Sequence, residues 1–478
     1  MKKESENPAL NNLGKRKDHE SFLKAMASKY DLAQYRSKSN EERKDRLADF
    51  LQDWYYVKFV CALIYDAFYN VIRSSYRARP TEAFIPTLIE IREWYKEAKK
   101  TKVSPNQTLN NTVNGFSILG ISGIGKSSLV KRVLHTGFKQ ICKLENTTQL
   151  QFIITNCVDT GSLKDILNKF IVGIDELIGT SYHKIYIASK KYTTESLTAI
   201  VANLCHLHCV GVWVIDEINH LTNVPFKSRG QIIAFLKNLS NTINIPIVLV
   251  GTPEAYTLLA ENFQIARRSQ GIKSFFLEKY ENDADWKNLM KSIWKRTVVR
   301  KNGPLTAEII NLYFKYTQGI ISQVVALHHN CQVTAIERGV EKITKEIIQK
   351  EGEEMLLTEK GIRALERNNP EELKYYADLS MQTIIRVNKL IENAETPEEL
   401  AKGIFSEDIP YADKKKIAAA TLRALDLPKR NSKSRSALPK PKKKFPAKNG
   451  VKKSAEENYK ELKSRGLITK LKDELGNG

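Results

Sequence analysis

Two clusters in the middle of the chain carry residue types and spacings that do chemistry. Gly120, Gly123, Gly125, Lys126 and Ser127 fit the pattern G-x-x-x-x-G-K-[ST]. Glycines at those places let a loop curl and aim its backbone N–H groups at phosphate oxygens. Ser122, Ile124 and Ser128 complete the loop and the start of the helix behind it, whose positive dipole end faces the same phosphates. At this spacing Lys126 reaches the β- and γ-phosphates of a nucleoside triphosphate, read here as ATP, and Ser127 holds Mg2+. The second cluster, Val212 to Glu217, is an apolar run that ends in two acids. Asp216, at the carboxyl end of a buried strand, is placed to hold the Mg2+ hydration shell, and Glu217 to polarise an attacking water. A helix N-cap is the other reading of that acid pair. The phosphate loop upstream weighs against it, and the pair favours hydrolysis over transfer to a small substrate.

Such a loop must follow a strand and open a helix. Residues 115–120 read as the strand and 126–136 as the helix. Further pairs follow: strand 150–157 with helix 162–177, helix 197–209 leading into strand 211–216, and helix 230–242 leading into strand 247–251. This alternation over 114–280 predicts an α/β core, a parallel sheet flanked by helices. Upstream, residues 46–113 read as a helical region. In it 47–78 form one apolar-aromatic helix carrying Leu47, Phe50, Leu51, Trp54, Tyr55, Phe59, Val60, Leu63, Ile64, Phe68 and Val71, among which spacings of three and four dominate. A second helix is expected at 85–100. Residues 1–45 are polar and mixed in charge and read as a flexible arm. Downstream, 281–427 reads as a helical lid with further helices, opening with a helical segment over 284–335.

The chain has 478 residues, of which 42% are apolar, enough for a core, and 27% charged. Its net charge of +22 points to a polyanionic partner and says nothing of fold. Half of that charge sits in 428–455, where eleven basic residues and no acid are mixed with Pro and Ser, the composition of a disordered linker. Residues 456–478 carry Tyr459, Leu462, Leu467 and Ile468, an amphipathic motif that reads either as a partner-docking peptide or as a helical end. No run reaches the ~18 apolar residues of a membrane span, and the N-terminus lacks an apolar signal segment, so a cytoplasmic chain without a membrane partner is expected. Six cysteines in such a chain stay reduced. Cys205, His206, His208 and Cys209 have a metal-like spacing, but on a helix the two cysteines share one face and the histidines point elsewhere. Packing is the favoured reading there and zinc the alternative.

With these motifs in hand, the chain resembles the AAA+ ATPases, and among them TnsC, the target-selection regulator of heteromeric transposons, with its relatives TniB and MuB. The resemblance runs from about residue 55 to 425. It is carried by Ile118–Ser127, Asp159–Lys164, Gly211–Leu221, Ile245–Pro253, Ala266–Arg268 and Thr317–Ile320; the order Asp-Glu-Ile-x-His-Leu, Gly-Thr-Pro, Ala-Arg-Arg is its specific part. It implies an AAA+ core with helical N-terminal and lid regions. It implies that Thr252 senses the γ-phosphate. Arg267 and Arg268 match the place of a trans-acting arginine finger, a solvated basic face being the other reading. It also implies ATP-dependent rings or filaments of this chain on double-stranded DNA, sequence-tolerant and DNA-associated. These would link a TniQ- or TnsD-like selector to a TnsA/TnsB-like transposase, the latter through the C-terminal tail. Ser162 and Lys164 match a position that contacts DNA, and Lys139 and Lys143, in the loop after the phosphate-loop helix, are further candidates; for Ser162 a helix N-cap is the competing role. One departure is that Gly319 to Gln323 carries no sensor arginine, which implies slow hydrolysis. A replication initiator or loader is the alternative AAA+ reading; a small-molecule kinase and a non-hydrolysing scaffold are the others.

Overall fold

The computed structural model describes residues 8–27, 32–78, 115–144, 147–158, 162–188, 192–223, 245–253, 274–301, 303–358, 360–367 and 376–379, with isolated positions between 232 and 255. All fall in one compact unit. Its centre is a five-stranded sheet built from β1 (Ser117–Gly120), β4 (Phe152–Asn156), β5 (Val212–Asp216), β6 (Ile247–Gly251) and β7 (Phe275–Leu277). The order is β4-β5-β6-β1-β7, and every pairing is parallel. A small antiparallel hairpin, β2 (Ile141–Lys143) with β3 (Thr148–Leu150), precedes β4. The loop-bearing strand β1 thus lies between the last two strands, the layout of an AAA+ α/β core.

β5 and β6 are buried at every residue, which is why Val212-Trp-Val-Ile and Ile247-Val-Leu-Val read as unbroken apolar runs. Helices cover both faces. Successive strand residues point to opposite sides. Phe152 meets His135 of α5 (Lys126–Gly137), with ring centroids 5.1 Å apart. Ile153 is in register with Trp213, whose ring packs 4.6 Å from Phe170 of α6 (Leu163–Ile178). The Trp213 indole N–H donates to Thr155 Oγ1 at 2.9 Å, so its one polar atom is satisfied in the core. α6 starts at Ser162, whose hydroxyl accepts from the Asp165 N–H, and stops at Gly179, φ 69°. After α7 (Tyr182–Tyr186), α8 (Thr194–Leu207) packs beside α6 and feeds β5.

The expected loose arm over 1–45 is corrected within the described residues. α1 (Pro8–Leu13), α2 (His19–Met26) and α3 (Asn40–Asp53) are folded onto the rest. Phe22 stacks on Tyr65 at 4.3 Å, Gln149 reaches back to Ala9 O and Asn12, and Lys17 Nζ donates to Thr136 O. Arg43, fully buried, donates to both carboxylate oxygens of Glu341 at 2.7 Å and to Val298 O. α1 and α2 bury only two side chains each, so no long apolar face stands out.

The single helix expected over 47–78 is also corrected: α3 ends at Asp53, and α4 (Val60–Ala78) starts a new helix. The aromatic run Tyr55-Tyr-Val has poor helix propensity and is spent on tertiary contacts. Tyr56 meets Tyr280, Lys58 lies 3.3 Å over the Tyr280 ring, and Arg132 of α5 lies over Tyr55. Downstream, the segment 284–335 divides into α9 (Ala284–Trp294), α10 (Ala307–Thr317) and α11 (Ile321–Glu337), followed by α12 (Lys345–Thr358) and α13 (Lys360–Arg367). The expected helix at 85–100, the basic linker 428–455 and the terminal motif 456–478 lie outside the described residues, as does most of 230–242.

Candidate nucleotide site

β1 ends at Gly120 and delivers the chain into the loop. Gly123 and Gly125 have φ of 76° and 88°, a left-handed conformation that other residues adopt only with strain. Gly125 is also the residue before α5, so the loop closes directly onto the helix N-terminus. The result is a run of main-chain donors with a positive helix end behind it, a geometry suited to phosphate.

Lys126 is the first residue of α5. Its Nζ donates to Ile121 O at 2.9 Å across the loop. Burial lowers its pKa to about 8, against the pull of Asp216, Asp378 and Glu217, which favour the charged form. Asp216 closes β5 and is 4% exposed. Its Oδ1 accepts the Glu217 N–H at 2.8 Å, and Cys157 N–H donates to its carbonyl at 2.7 Å, fixing the end of the strand. Glu217 has φ 56°, uncommon for a residue with a side chain and typical of functional positions. Its side chain is half exposed and pairs with His220 at 3.0 Å. Thr252 follows β6, the strand between β5 and β1, and its N–H donates to Asn219 Oδ1. Its hydroxyl is buried and has no hydrogen-bond partner among the described residues. A buried hydroxyl without a partner is costly, so it marks a place where a ligand atom would be welcome.

The carboxyl ends of β5, β6 and β1 thus bring Asp216, Glu217, Thr252 and the loop together, at the strand ends where open α/β sheets bind ligands. Ser127 lies in the first turn of α5, partly buried, and Ser128 beside it is exposed. Ser162 is the N-cap of α6, which satisfies its competing role, and Lys164 is in that helix's first turn. Lys139 is in the loop after α5, but Lys143 is not: it ends strand β2, and both side chains are exposed. Arg267 and Arg268 lie outside the described residues.

The structure adds groups that the motifs do not contain. Ser322, at the start of α11, donates its N–H to Gly123 O at 3.0 Å, so the lid rests on the loop although it carries no sensor arginine. Asp378 O accepts the Ser122 N–H at 2.9 Å. His220 could have been found, since it stands three residues after Glu217; nothing local to Asp378 marks it. The Cys205–Cys209 cluster is core. His208 is buried, its Nδ1 donating to Thr148 O and its Nε2 accepting from Tyr182, and burial lowers its pKa. Among the described residues no group of three His, Cys, Asp or Glu could hold a metal ion, and no helix is long and apolar enough to cross a membrane.

Residues 105–282, the stretch that contains every element of this site up to β7, match the family described as the bacterial TniB protein. The match takes in the phosphate loop, Asp216, Glu217 and Thr252. The family is related to the TnsC-type ATPases that the sequence resembles. No curated protein matches the chain. Among solved structures, it is similar to the Aeropyrum pernix ORC1 protein in complex with DNA, at 12% identity and TM-score 0.36, over 74% of this chain and 86% of that one. It is also similar to the Walker-type ATPase of Pyrococcus abyssi, at 14% and 0.35, over 64% and 90%. AMPPCP-bound DnaA from Aquifex aeolicus is a third, at 14% and 0.26, over 72% and 89%. All three are distant likenesses.

Proposed function

We infer that this chain is an ATP-hydrolysing, DNA-binding AAA+ regulator of transposition. The observation that carries the reading is the convergence of Lys126, Asp216, Glu217 and the partnerless Thr252 hydroxyl on one phosphate loop, within the segment that matches the TniB family. The main-chain N–H groups of the loop and the Lys126 ammonium hold the triphosphate. Ser127 and Asp216 are the residues that would hold Mg2+, which supplies charge neutralisation at the phosphates. Glu217 polarises the attacking water, once its carboxylate turns from His220 towards the loop. Thr252 donates its hydroxyl to the γ-phosphate, which satisfies the one buried polar atom the fold leaves unmatched there.

The +22 charge supports a polyanionic partner. Lys139, Lys143 and Lys164, exposed or partly exposed around the core, would neutralise DNA phosphates without reading sequence, with Ser162 beside them. Assembly of many copies as a ring or filament on double-stranded DNA, with Arg267 or Arg268 acting across the subunit boundary, completes the reading. Contact with a TniQ- or TnsD-like selector and with a TnsA/TnsB-like transposase through 428–478 belongs to the same proposal. Negative-stain imaging with a random-sequence duplex tests it. Rings or filaments on DNA that need an ATP analogue are expected. Monomers that ignore DNA with and without nucleotide would overturn the reading.

A further inference from the structure

The phosphate loop has a neighbour that no motif accounts for. A short turn, Ala377–Leu379, lies against it from more than two hundred residues further along the chain. Asp378 O accepts the N–H of Ser122, and the Asp378 carboxylate attracts the ammonium of Lys126. One residue therefore takes a main-chain N–H at the start of the loop and sets a negative charge in the field of its lysine.

The seat for this turn is shaped on both sides. On one side, α13 brings Gly361 so close that a Cβ there would lie 2.6 Å from Leu379 Cδ1 and 3.1 Å from Tyr376 Cδ1. A side chain at position 361 would have to push the side chains of Leu379 and Tyr376 aside. On the other side stand Ser122 and Gly123 with Ile320 and Ser322 of the lid. Between them is a cavity of about 340 Å³, lined also by Lys360. Asp378 held at this place competes with an anion on two counts: its main-chain carbonyl occupies one N–H of the loop, and its charge repels the γ-phosphate.

We propose that residues 376–379 form an autoinhibitory strap across the phosphate loop, which ATP must displace to bind. The strap rests on the ATP-binding reading given above. A ligand whose competent state is only partly populated binds with an affinity lowered by that fraction. Loosening the strap therefore tightens ATP binding. Two substitutions loosen it by different routes: Asp378→Ala removes the charge, and Gly361→Val places methyl groups where Leu379 and Tyr376 lie.

The test is a fluorescence titration of the full chain with a mant-ATP probe and Mg2+, alongside Lys126→Ala, with circular dichroism confirming that each variant is folded. An apparent Kd lowered by roughly fivefold or more in Asp378→Ala, and lowered in Gly361→Val if that variant folds, is the expected result. An Asp378→Ala protein that binds the probe as the parent does, or more weakly, overturns the strap and leaves the ATP-binding reading standing. No binding by parent or variants, all indistinguishable from Lys126→Ala, overturns the ATP-binding reading and the strap with it.

Discussion

Replacing Thr252 with Val separates a functional hydroxyl from a structural one. The two side chains are nearly the same shape, so the substitution opens no cavity. In the folded protein the Thr252 hydroxyl is buried without a partner among the described residues, and a buried polar atom in that state costs about 1–3 kcal/mol. Its removal should therefore stabilise the fold by a similar amount, a rise in melting temperature of at least about 2 °C for a domain of this size. If the hydroxyl instead meets the γ-phosphate during hydrolysis, its loss removes a preorganised donor. The expected cost is on the order of 10²-fold in turnover. Stability and activity then move in opposite directions, and Thr252→Ser restores turnover. Differential scanning fluorimetry and a phosphate-release assay read the two effects. A Thr252→Val protein that melts lower than the parent and hydrolyses ATP at the parental rate refutes the reasoning on both counts.

Other positions make separate demands. Glu217→Gln should lower ATP turnover by roughly 10²-fold or more while nucleotide binding persists, since the amide cannot take up a proton; parental turnover in a single-cycle assay would remove Glu217 from its role. Arg43→Ala should cost about 3–5 kcal/mol in thermal or chemical unfolding, because it leaves the Glu341 carboxylate, itself largely buried, without its bidentate partner. His328 is fully enclosed, its Nε2–H donating to Arg296 O and its Nδ1 accepting from Tyr313, and burial lowers its pKa to about 4. The unfolded chain, with an ordinary histidine near 6.5, binds the extra proton first. Stability should therefore fall as pH drops from about 6.5 to 4, by up to about 3 kcal/mol; a His328→Gln variant with the same slope in that window would assign the effect elsewhere.

The nucleotide site was legible in the sequence because its chemistry fixes residue types at short spacings. Gly120 to Ser127 must be contiguous to cradle phosphate, and Asp216 with Glu217 must end a strand. β5 and β6 were legible for a related reason: strands buried on both faces leave no polar residue to blur the run. The break between α3 and α4 was not. Trp54 and Tyr55 continue the apolar spacing of a helix, yet they are apolar because Tyr280 and Arg132 pack on that stretch, and periodicity alone does not tell one cause from the other. α1 and α2 escaped because each is short and buries only two side chains, Ala9 and Leu13 in α1, Phe22 and Met26 in α2, with polar contacts such as Asn12 to Gln149 beside them. β7 is three residues long, too short for any pattern. Asp378 is the extreme case, since only the folded chain brings it to Ser122.

The absence of a lid arginine implies slow hydrolysis, since no sensor charge on the lid reaches the γ-phosphate. The geometry supplies another route. The lid touches the phosphate loop through main chain, Ser322 N–H to Gly123 O, and a side chain at Gly123 would strike Ser322. A movement of α11 therefore displaces the loop itself rather than a charge above it. The base of the lid is held just as closely. Gly319, at φ 75°, lies against Tyr280, which donates its main-chain N–H to Gly319 O and carries Lys58 on its ring. At its far end Glu341 is clasped by Arg43 of α3 and by Arg300. Lys58, in the segment between α3 and α4, and Arg43 of α3 both come from the N-terminal region, so α3 and that segment are fastened to the element that rests on the phosphate loop. A ligand that displaces α3 or Lys58 therefore acts on the lid directly.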